Sequence, residues 1–380
     1  MWVRPFGARA PTSVKVPPRS MKKDQPAMSA GLRTAQSRLA SRRVARPDDG
    51  GRRLHYVSPV TVAAQQLEPS PFLNPAARPL DRAKFRDPLV TAKGEPRAHV
   101  DLVALDTLWI NTGTLCNLAC KTCYIESSPV NDALVYISLA EVDAFLDEAA
   151  ALGTREIGFT GGEPFMNRDM PAMLRSALAR GFEVLVLTNA MRPMRRFEDA
   201  LKAIQLEHGG RLTMRVSLDH HSREVHEGER GAGTWEKALD GLRWLSTHGF
   251  RIAVAGRSLA GEPETEARAG YSRLFAREGL RVDAGLVLFP EMDAAADVPE
   301  ISTACWGILG TRPEAMMCAG SRMVVKRRGA ARPVVAACTL LPYDDQFALG
   351  NTLAESRTRV HLNHPHCARF CVLGGASCSA

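Results

Sequence analysis

The chain has 380 residues, of which 45% are hydrophobic and 24% are charged, the balance of a globular protein long enough to bury a sizeable core. No apolar run approaches the roughly 18 residues that cross a bilayer, so neither a membrane span nor a membrane partner is expected. Aromatic residues make up 6% of the chain, which argues against a broad surface for stacking nucleic-acid bases.

The first 95 residues are predicted to form a basic, disordered arm. Residues 1–50 hold 11 Lys or Arg and 3 Asp or Glu, so they account for the whole formal charge of +8 and leave the remainder neutral. A neutral folded part gives no sign of a nucleic-acid partner. The Arg-rich, acid-poor composition faintly resembles an organellar transit peptide, whereas Met21 and Met28 offer later start positions for translation. Both interpretations of these first residues stay open.

After residue 95, apolar β-rich runs alternate with amphipathic helical patterns, and residues 96–295 are predicted to form one α/β domain. The alternation predicts a parallel sheet, either an open doubly wound sheet or a partial barrel. In both folds, functional residues gather at the carboxyl ends of the strands. The predicted strands are Thr107–Asn111, Glu156–Thr160, Glu183–Thr188, Thr213–Leu218, Arg251–Ala255 and Gly285–Phe289, and the helical stretches lie near 138–152, 169–180, 195–207, 234–248 and 264–278.

Three cysteines, Cys116, Cys120 and Cys123, follow the first predicted strand directly. Their spacing lets one loop wrap three thiolates around a cubane iron–sulfur cluster and leaves the fourth iron open. A structural zinc site instead takes four ligands, usually from paired Cys-x-x-Cys turns. The chain has nine cysteines in two groups and no apolar signal-peptide core, so we expect metal or cluster ligation in the cytoplasm rather than disulfides.

The sequence Gly161-Gly162-Glu163-Pro164 follows the second predicted strand. Two glycines let the backbone approach a ligand closely, and the glutamate supplies an acceptor for a bound ammonium group. An ordinary β–α turn is the alternative interpretation. The position of the Gly-Gly-Glu-Pro sequence, one β–α unit after the cysteine triplet, favours ligand binding.

The pattern of three cysteines and the Gly-Gly-Glu-Pro sequence together resemble the radical S-adenosylmethionine (SAM) superfamily, across residues 100–380. The resemblance implies a partial (β/α)6 TIM-like barrel that uses SAM and a catalytic [4Fe–4S] cluster. In that family the open iron binds the amino and carboxylate groups of the methionine moiety, and the Gly-Gly-Glu-Pro element holds the amino group. Cleavage of SAM then gives methionine and a 5′-deoxyadenosyl radical, which abstracts a hydrogen atom from the substrate.

One position departs from the family pattern. The family usually has an aromatic residue just before the third cysteine, where the ring lies against adenine. This chain has Thr122 there and Tyr124 just after Cys123. The departure bears on how adenine packs and leaves the predicted cluster ligands unchanged.

Polar residues lie at the ends of two further predicted strands. Asn189, Ser217 and Asp219 could cap the helices that follow, or they could face a bound ligand. Similar enzymes use such strand ends for the ribose hydroxyls and the carboxylate, so these three are predicted SAM-binding residues. Arg257 could pair with the methionine carboxylate or remain solvated. The nearby sequence His226-Glu227…Arg230-Gly231 resembles a loop of enzymes with extra cluster domains, and no role is assigned to it.

From residue 296 the alternation stops and six cysteines follow in a loop-rich segment, which would need a metal or cluster to stabilise it. Residues 296–380 resemble the twitch domain, a shortened relative of the SPASM domain that binds one auxiliary cluster. A β-hairpin over Met323–Lys326 and Val334–Ala337 is predicted between the first two ligands. The predicted ligands of this second [4Fe–4S] cluster are Cys318, Cys338, Cys367 and Cys371, with Cys378 as a possible replacement.

Zinc remains an alternative at this second group because four thiolates satisfy its tetrahedral preference. His361, His364 and His366 lie nearby and could ligate either metal. Cys305 is predicted to be a buried thiol.

The leading functional hypothesis is a radical SAM enzyme acting on an unidentified small polar molecule or peptide, with an electron donor such as flavodoxin or ferredoxin. Its auxiliary cluster could anchor substrate, accept an electron or stabilise the fold. The alternative is an iron–sulfur electron-transfer or cluster-carrier protein without SAM chemistry. A zinc-stabilised binding protein is a third possibility and would be free of iron.

Overall fold

The computed structural model describes residues 78–258, 262–290 and 296–375. The predicted arm up to residue 77 and Cys378 lie outside the described residues. Residues 78–95, which were assigned to the arm, pack on the segment after residue 295. Lys84 pairs with Asp297 at 2.5 Å, and the buried Arg97 pairs with Glu300 at 2.6 Å. From composition alone these charged side chains are expected to be solvated, because their carboxylate partners lie more than 200 residues away in the sequence.

Six parallel strands lie side by side in chain order. After a short β1 (His99–Val100), they are β2 (Thr107–Asn111), β3 (Glu156–Thr160), β4 (Glu183–Thr188), β5 (Leu212–Ser217), β6 (Arg251–Ser258) and β7 (Leu286–Pro290). The predicted α/β class and parallel sheet are confirmed. Each strand neighbours the next one along the chain, which fits an arc of a (β/α) barrel, whereas a doubly wound sheet reverses its strand order.

Helices connect these strands, five of them where amphipathic patterns predicted them, whereas Arg192–Arg195, Arg223–Arg230 and Cys305–Leu309 were not predicted. They are α1 (Leu139–Ala151), α2 (Met170–Ala179), α3 (Arg192–Arg195), α4 (Glu198–His208), α5 (Arg223–Arg230), α6 (Thr234–Thr247), α7 (Glu264–Glu278) and, in the C-terminal segment, α8 (Cys305–Leu309). A capping box of Ser138 and Glu141 begins α1. In α2 every residue of the apolar stripe, from Met170 to Leu178, is buried. None of the described helices is long and apolar enough to span a membrane.

The C-terminal segment adds strands to the same sheet. The predicted hairpin is present as β8 (Ser321–Val325) and β9 (Val334–Ala336), which pair antiparallel. Unexpectedly, β8 also pairs parallel with β2, so the sheet has eight strands in the order β7-β6-β5-β4-β3-β2-β8-β9. β10 (Val360–His361) pairs with β1, and a π-helical turn covers Cys367–Leu373. The second cysteine group is thereby attached to the strand that precedes the first group.

Candidate functional site

A cavity of about 160 Å³ lies at the carboxyl ends of the parallel strands. Most of the predicted site residues share this cavity, although they come from five separate stretches of sequence. Those that line it are Cys116, Cys120, Cys123, Gly161, Gly162, Asn189, Ser217, Asp219 and Arg257. Glu163 and Pro164 do not line it.

The first cysteine group forms one wall of the cavity. The backbone N–H of Leu118 donates to Cys116 Sγ at 3.4 Å, and that of Ser127 donates to Cys123 Sγ at 3.3 Å. Burial raises the pKa of Cys116 to about 12 and raises the pKa of Cys120 as well. Buried thiols with raised pKa values become thiolates when a metal binds them, so this wall suits a metal centre better than a nucleophile.

The two glycines of the Gly-Gly-Glu-Pro sequence allow a close approach between two loops of the chain itself. A Cβ at Gly162 would lie 2.3 Å from the carbonyl oxygen of Leu115, and one at Gly161, where φ is 143°, would lie 2.5 Å from that of Gly113. The predicted reason for these glycines was approach to a ligand. In the structure, contact with the loop that carries the cysteines requires them.

Glu163 is buried and organises the end of β4. Its Oε1 accepts hydrogen bonds from Thr188 Oγ1 at 2.8 Å and from the Phe165 N–H at 3.2 Å, and its Oε2 accepts one from the Asn189 N–H at 2.8 Å. Burial outweighs these bonds and raises the pKa of Glu163 to about 7. The carboxylate therefore positions Asn189, which lines the cavity.

A buried ion pair forms another part of the cavity wall, beside the cysteine loop. Both oxygens of Asp219 accept hydrogen bonds from Arg230 at 2.9 Å, and Arg257 Nε lies 3.5 Å from the same carboxylate. Although burial raises the pKa of Asp219, the two guanidiniums outweigh it and hold that pKa below its usual value. No role was predicted for Arg230, and the only feature of the sequence that pointed to it was the His226…Arg230 pattern. Arg230 lies at the C-terminal end of α5 and lines the cavity.

Arg257 lines the cavity and has a buried donor without a partner among the described residues. Its Nη2 donates to the carbonyl of Thr122 at 2.7 Å, whereas the buried Nη1 has no hydrogen-bond partner among the described residues. Its guanidinium lies 4.6 Å from the ring of Tyr124. A buried, unpaired guanidinium nitrogen is suited to an anionic group such as a carboxylate.

The aromatic residue of the cysteine loop lies after the third cysteine. Thr122 donates from its hydroxyl to Glu229 at 2.8 Å and does not line the cavity. Tyr124 does line it, and its hydroxyl donates to the carbonyl of Pro290 at 3.2 Å. Its ring makes edge contacts with Phe289 and Phe370. The cysteine loop therefore presents an aromatic ring to the cavity one residue after the third cysteine.

The four predicted ligands of the second group lie close together. Cys318 is in a short 3-10 turn, Cys338 follows β9, and Cys367 and Cys371 lie on the π-helical turn. Burial raises the pKa of Cys367, and the other three cysteines are near enough to raise it further. Cys305 is only half-buried, and its sulfur lies 3.6 Å from the hydroxyl of Ser302. The prediction that Cys305 is a buried thiol is thus only partly matched.

Buried positive charge accompanies the second group. The Arg322 side chain is fully buried and donates to the carbonyls of Cys318 at 2.6 Å and Ser356 at 3.0 Å. Thr339 and Leu340, directly after Cys338, line the cavity of the first group. The two cysteine groups therefore flank one cavity.

Comparisons with known proteins agree with this site. Residues 110–270 match the family model of the Radical SAM superfamily. The Fe-coproporphyrin III synthase of Methanosarcina barkeri is 31% identical over 140 residues, which are 37% of this chain and 33% of that protein. The antilisterial bacteriocin subtilosin biosynthesis protein AlbA of Bacillus subtilis is 30% identical over 141 residues, 37% of this chain and 30% of that protein. The alignments thus span about a third of the length of these curated relatives.

The fold also has a counterpart among solved structures. The crystal structure of Streptococcus suis SuiB bound to precursor peptide SuiA superposes with a TM-score of 0.51 at 11% identity, covering 68% of this chain and 66% of that chain. At this identity the likeness concerns the fold alone. The matched family model identifies residues 110–270, which contain the three cysteines of the cavity wall, as a radical SAM domain.

Proposed function

We propose that the chain is a radical SAM enzyme with a catalytic [4Fe–4S] cluster on Cys116, Cys120 and Cys123 and with SAM in the adjoining cavity. The observation that carries the proposal is that the three cysteines and a set of polar strand-end residues share one cavity. When bound, these cofactors supply a 5′-deoxyadenosyl radical by one-electron reductive cleavage of the SAM sulfonium.

The polar wall suits the two ends of SAM. The unpaired Nη1 of Arg257 is the proposed partner of the methionine carboxylate. Asn189 and Ser217 present side chains to the same cavity and are proposed to bind the ribose hydroxyls. Because both oxygens of Asp219 are engaged by Arg230, this carboxylate acts by positioning the guanidiniums. We keep the Gly161–Pro164 element as the proposed site of the methionine amino group, through its backbone rather than Glu163.

Apolar side chains complete the cavity wall. Tyr124, Leu187, Phe289 and Leu340 all line it. They would exclude water from the space where hydrogen abstraction takes place, which protects a reactive radical from side reactions. Leu340 belongs to the C-terminal segment, so that segment supplies part of the substrate's surroundings.

The second cysteine group is proposed to hold an auxiliary [4Fe–4S] cluster in a twitch-like domain. Four thiolates can hold either a cubane cluster or a tetrahedral zinc ion, and the likeness of the cysteine pattern to the twitch domain favours the cluster. Thr339 and Leu340, which follow Cys338, line the cavity, so an auxiliary cluster at this group would lie near enough to the cavity to accept an electron or anchor substrate.

An acidic one-electron donor, such as flavodoxin or ferredoxin, is the proposed reducing partner. A second groove is lined by Asn117 and Leu118, which belong to the loop with the first cysteine group. Exposed Arg192, Arg196 and Lys237 surround this groove, while its acidic residues are already paired with arginines. Complementary charge would bring a negative partner close to the catalytic cluster.

The substrate is proposed to be a peptide or a small polar molecule. SuiB, which has the same fold, was crystallised with a precursor peptide, and this supports the peptide class. The fold does not determine the substrate, so the class is to be tested directly.

The deciding experiment measures 5′-deoxyadenosine after the anaerobically reconstituted protein is incubated with SAM and dithionite. We expect product from the native chain, none from Cys120→Ala, and an unchanged yield from the control Cys305→Ala. Absence of product from protein that holds about four irons or more would contradict the proposal and support the cluster carrier.

A further inference from the structure

A group of two histidines and one glutamate lies outside the cavity. His220 and His221 follow β5, and Glu262 precedes α7, so the group joins the ends of two neighbouring strand–helix units. One ligand atom from each of the three residues lies within 4.8 Å of the other two. None of the three residues is among those that line the cavity.

The side chains already converge on one point. His220 Nε2 lies 3.0 Å from one oxygen of Glu262, and His221 Nε2 lies 2.8 Å from the other. The two imidazole rings are 4.0 Å apart. Two imidazole nitrogens and one carboxylate are a donor set that binds zinc with three protein ligands and leaves a fourth position for water.

The environment of His220 suits a ligand. Its side chain is buried, and its Nδ1 lies 2.8 Å from the hydroxyl of Ser222 and 3.0 Å from the N–H of the same residue. Without metal, Nδ1 accepts from that N–H, and Nε2 donates to Glu262. With a metal on Nε2, the ring proton would be on Nδ1, where the Ser222 hydroxyl would accept it in place of the bond that Nδ1 accepts from the Ser222 N–H. Such a partner for the second ring nitrogen is usual for histidines that bind metals.

The ring of His221 packs against a glycine inside a helix. A Cβ at Gly270 would lie 2.4 Å from the His221 ring, so only glycine leaves room for it. Gly270 lies in the interior of α7, where glycine costs about 1 kcal/mol relative to alanine. The His221 imidazole therefore occupies the space that a side chain at position 270 would take, although helix stability alone would favour alanine there.

We propose that His220, His221 and Glu262 form a binding site for a divalent first-row metal ion, with Zn²⁺ as the best match. Imidazole and carboxylate ligands suit such ions, and the set contains no thiolate. A bound ion would join the end of β5 to the segment that enters α7. His220 follows Asp219, so the ion would also fix the strand end that carries the buried ion pair of the cavity.

The site is tested with ¹¹³Cd²⁺ and Zn²⁺ on the full chain after reconstitution with iron and sulfide. We expect the native chain to retain one more zinc per chain than His221→Ala, and to show a ¹¹³Cd resonance from nitrogen and oxygen ligands that this variant lacks. Glu262→Gln should bind zinc on the order of 100-fold more weakly, since losing even an outer partner of a metal ligand costs 10–100-fold.

The control His248→Ala should match the native chain, because His248 lies outside the group and bonds to Trp244. Circular dichroism and thermal melting establish that each variant is folded. Equal zinc content in all four proteins, without a nitrogen- and oxygen-ligated ¹¹³Cd resonance, would overturn the site. Failure of the proposed radical SAM function would instead appear as absence of 5′-deoxyadenosine with an unchanged zinc content, so the two failures are distinguishable.

Discussion

The two cysteine groups flank one cavity but are built differently. The first group lies on a loop at the end of a fully buried strand, β2, where Gly162 packs against the Leu115 carbonyl. The second group lies on a 3-10 turn, the end of a three-residue strand and a π-helical turn. A parallel sheet can position ligands before any metal binds, whereas short irregular segments need the metal for stability. We therefore expect a metal centre at the first group to depend on the sheet, and one at the second group to stabilise the segments that surround it.

The largest expected effect is loss of the second group's ligands. Cys371→Ala should remove about four irons and strongly increase amide hydrogen exchange over residues 313–375, because a structural metal can contribute on the order of 10 kcal/mol to a small domain. Cys120→Ala should also lose about four irons but leave exchange in β2–β6 nearly unchanged. Equal exchange in the two variants would remove the distinction between the groups.

The next effect concerns the scaffold of the first group. Arg230→Met leaves the Asp219 carboxylate, with 4% of its side chain exposed, without its bidentate partner. We expect a loss of about 3–5 kcal/mol in the free energy of unfolding, measured by urea denaturation. The matched control is Arg243→Met, whose exposed ion pair with Glu278 should contribute no more than about 1 kcal/mol. A similar loss in both variants would show that burial of the Asp219 pair is unimportant.

A smaller loss should follow from filling the contact between the two loops. In Gly162→Ala, the new Cβ meets the Leu115 carbonyl, and the overpacking should cost about 3 kcal/mol. The first group should lose iron while the second keeps it, as measured by Mössbauer or EPR spectroscopy of the reconstituted protein. Gly210→Ala is the control, since nothing lies within 4 Å of that position. Loss of iron from the second group alone would contradict the assignment.

The smallest expected effect is a pH dependence of the free energy of unfolding, caused by a buried histidine. His226 is fully buried, neither of its ring nitrogens has a hydrogen-bond partner in the part of the chain that the structure describes, and burial lowers its pKa to about 4. The unfolded chain therefore binds a proton at His226 below about pH 6.5, whereas the folded chain binds it only near pH 4. The stability that comes from keeping His226 neutral is complete above about pH 6.5 and is lost as pH falls toward 4. Between pH 7.5 and pH 5 the loss should be about 2 kcal/mol, measured by urea denaturation. His226→Leu should remove this share of the slope, and an unchanged slope would refute it.

Much of the barrel could be predicted from the sequence. The bounds of β2, β3 and β4 agree with the predicted ranges, because continuous apolar runs fully buried between helices are distinct in sequence. The cysteine triplet could be assigned from spacing, since all its ligands lie on one loop. Local pattern suffices where a feature is made by neighbours in sequence.

Contacts between distant segments were not predictable in this way. Nothing local in Ser321–Val325 indicates that it pairs with β2, and the partner of Asp219 depends on how α5 docks. The partners of Glu163 were also not predictable, because its carboxylate accepts hydrogen bonds from residues at the end of β4. In each case, tertiary packing decided between alternatives that the residue types left equal.

The parallel pairing of β2 with β8 has a consequence for biosynthesis. Thr107 and Ser321 pair although about 210 residues separate them in the sequence. This pairing raises the contact order of the fold and is expected to form late in folding. At about 5–20 residues per second, the ribosome needs roughly 10–40 s to make β8 after β2. During that interval the outer edge of β2 is an unpaired strand next to the nascent cysteine loop, open to wrong partners. Chaperones or cluster-assembly factors that act while the chain is still being made would meet the protein in this state.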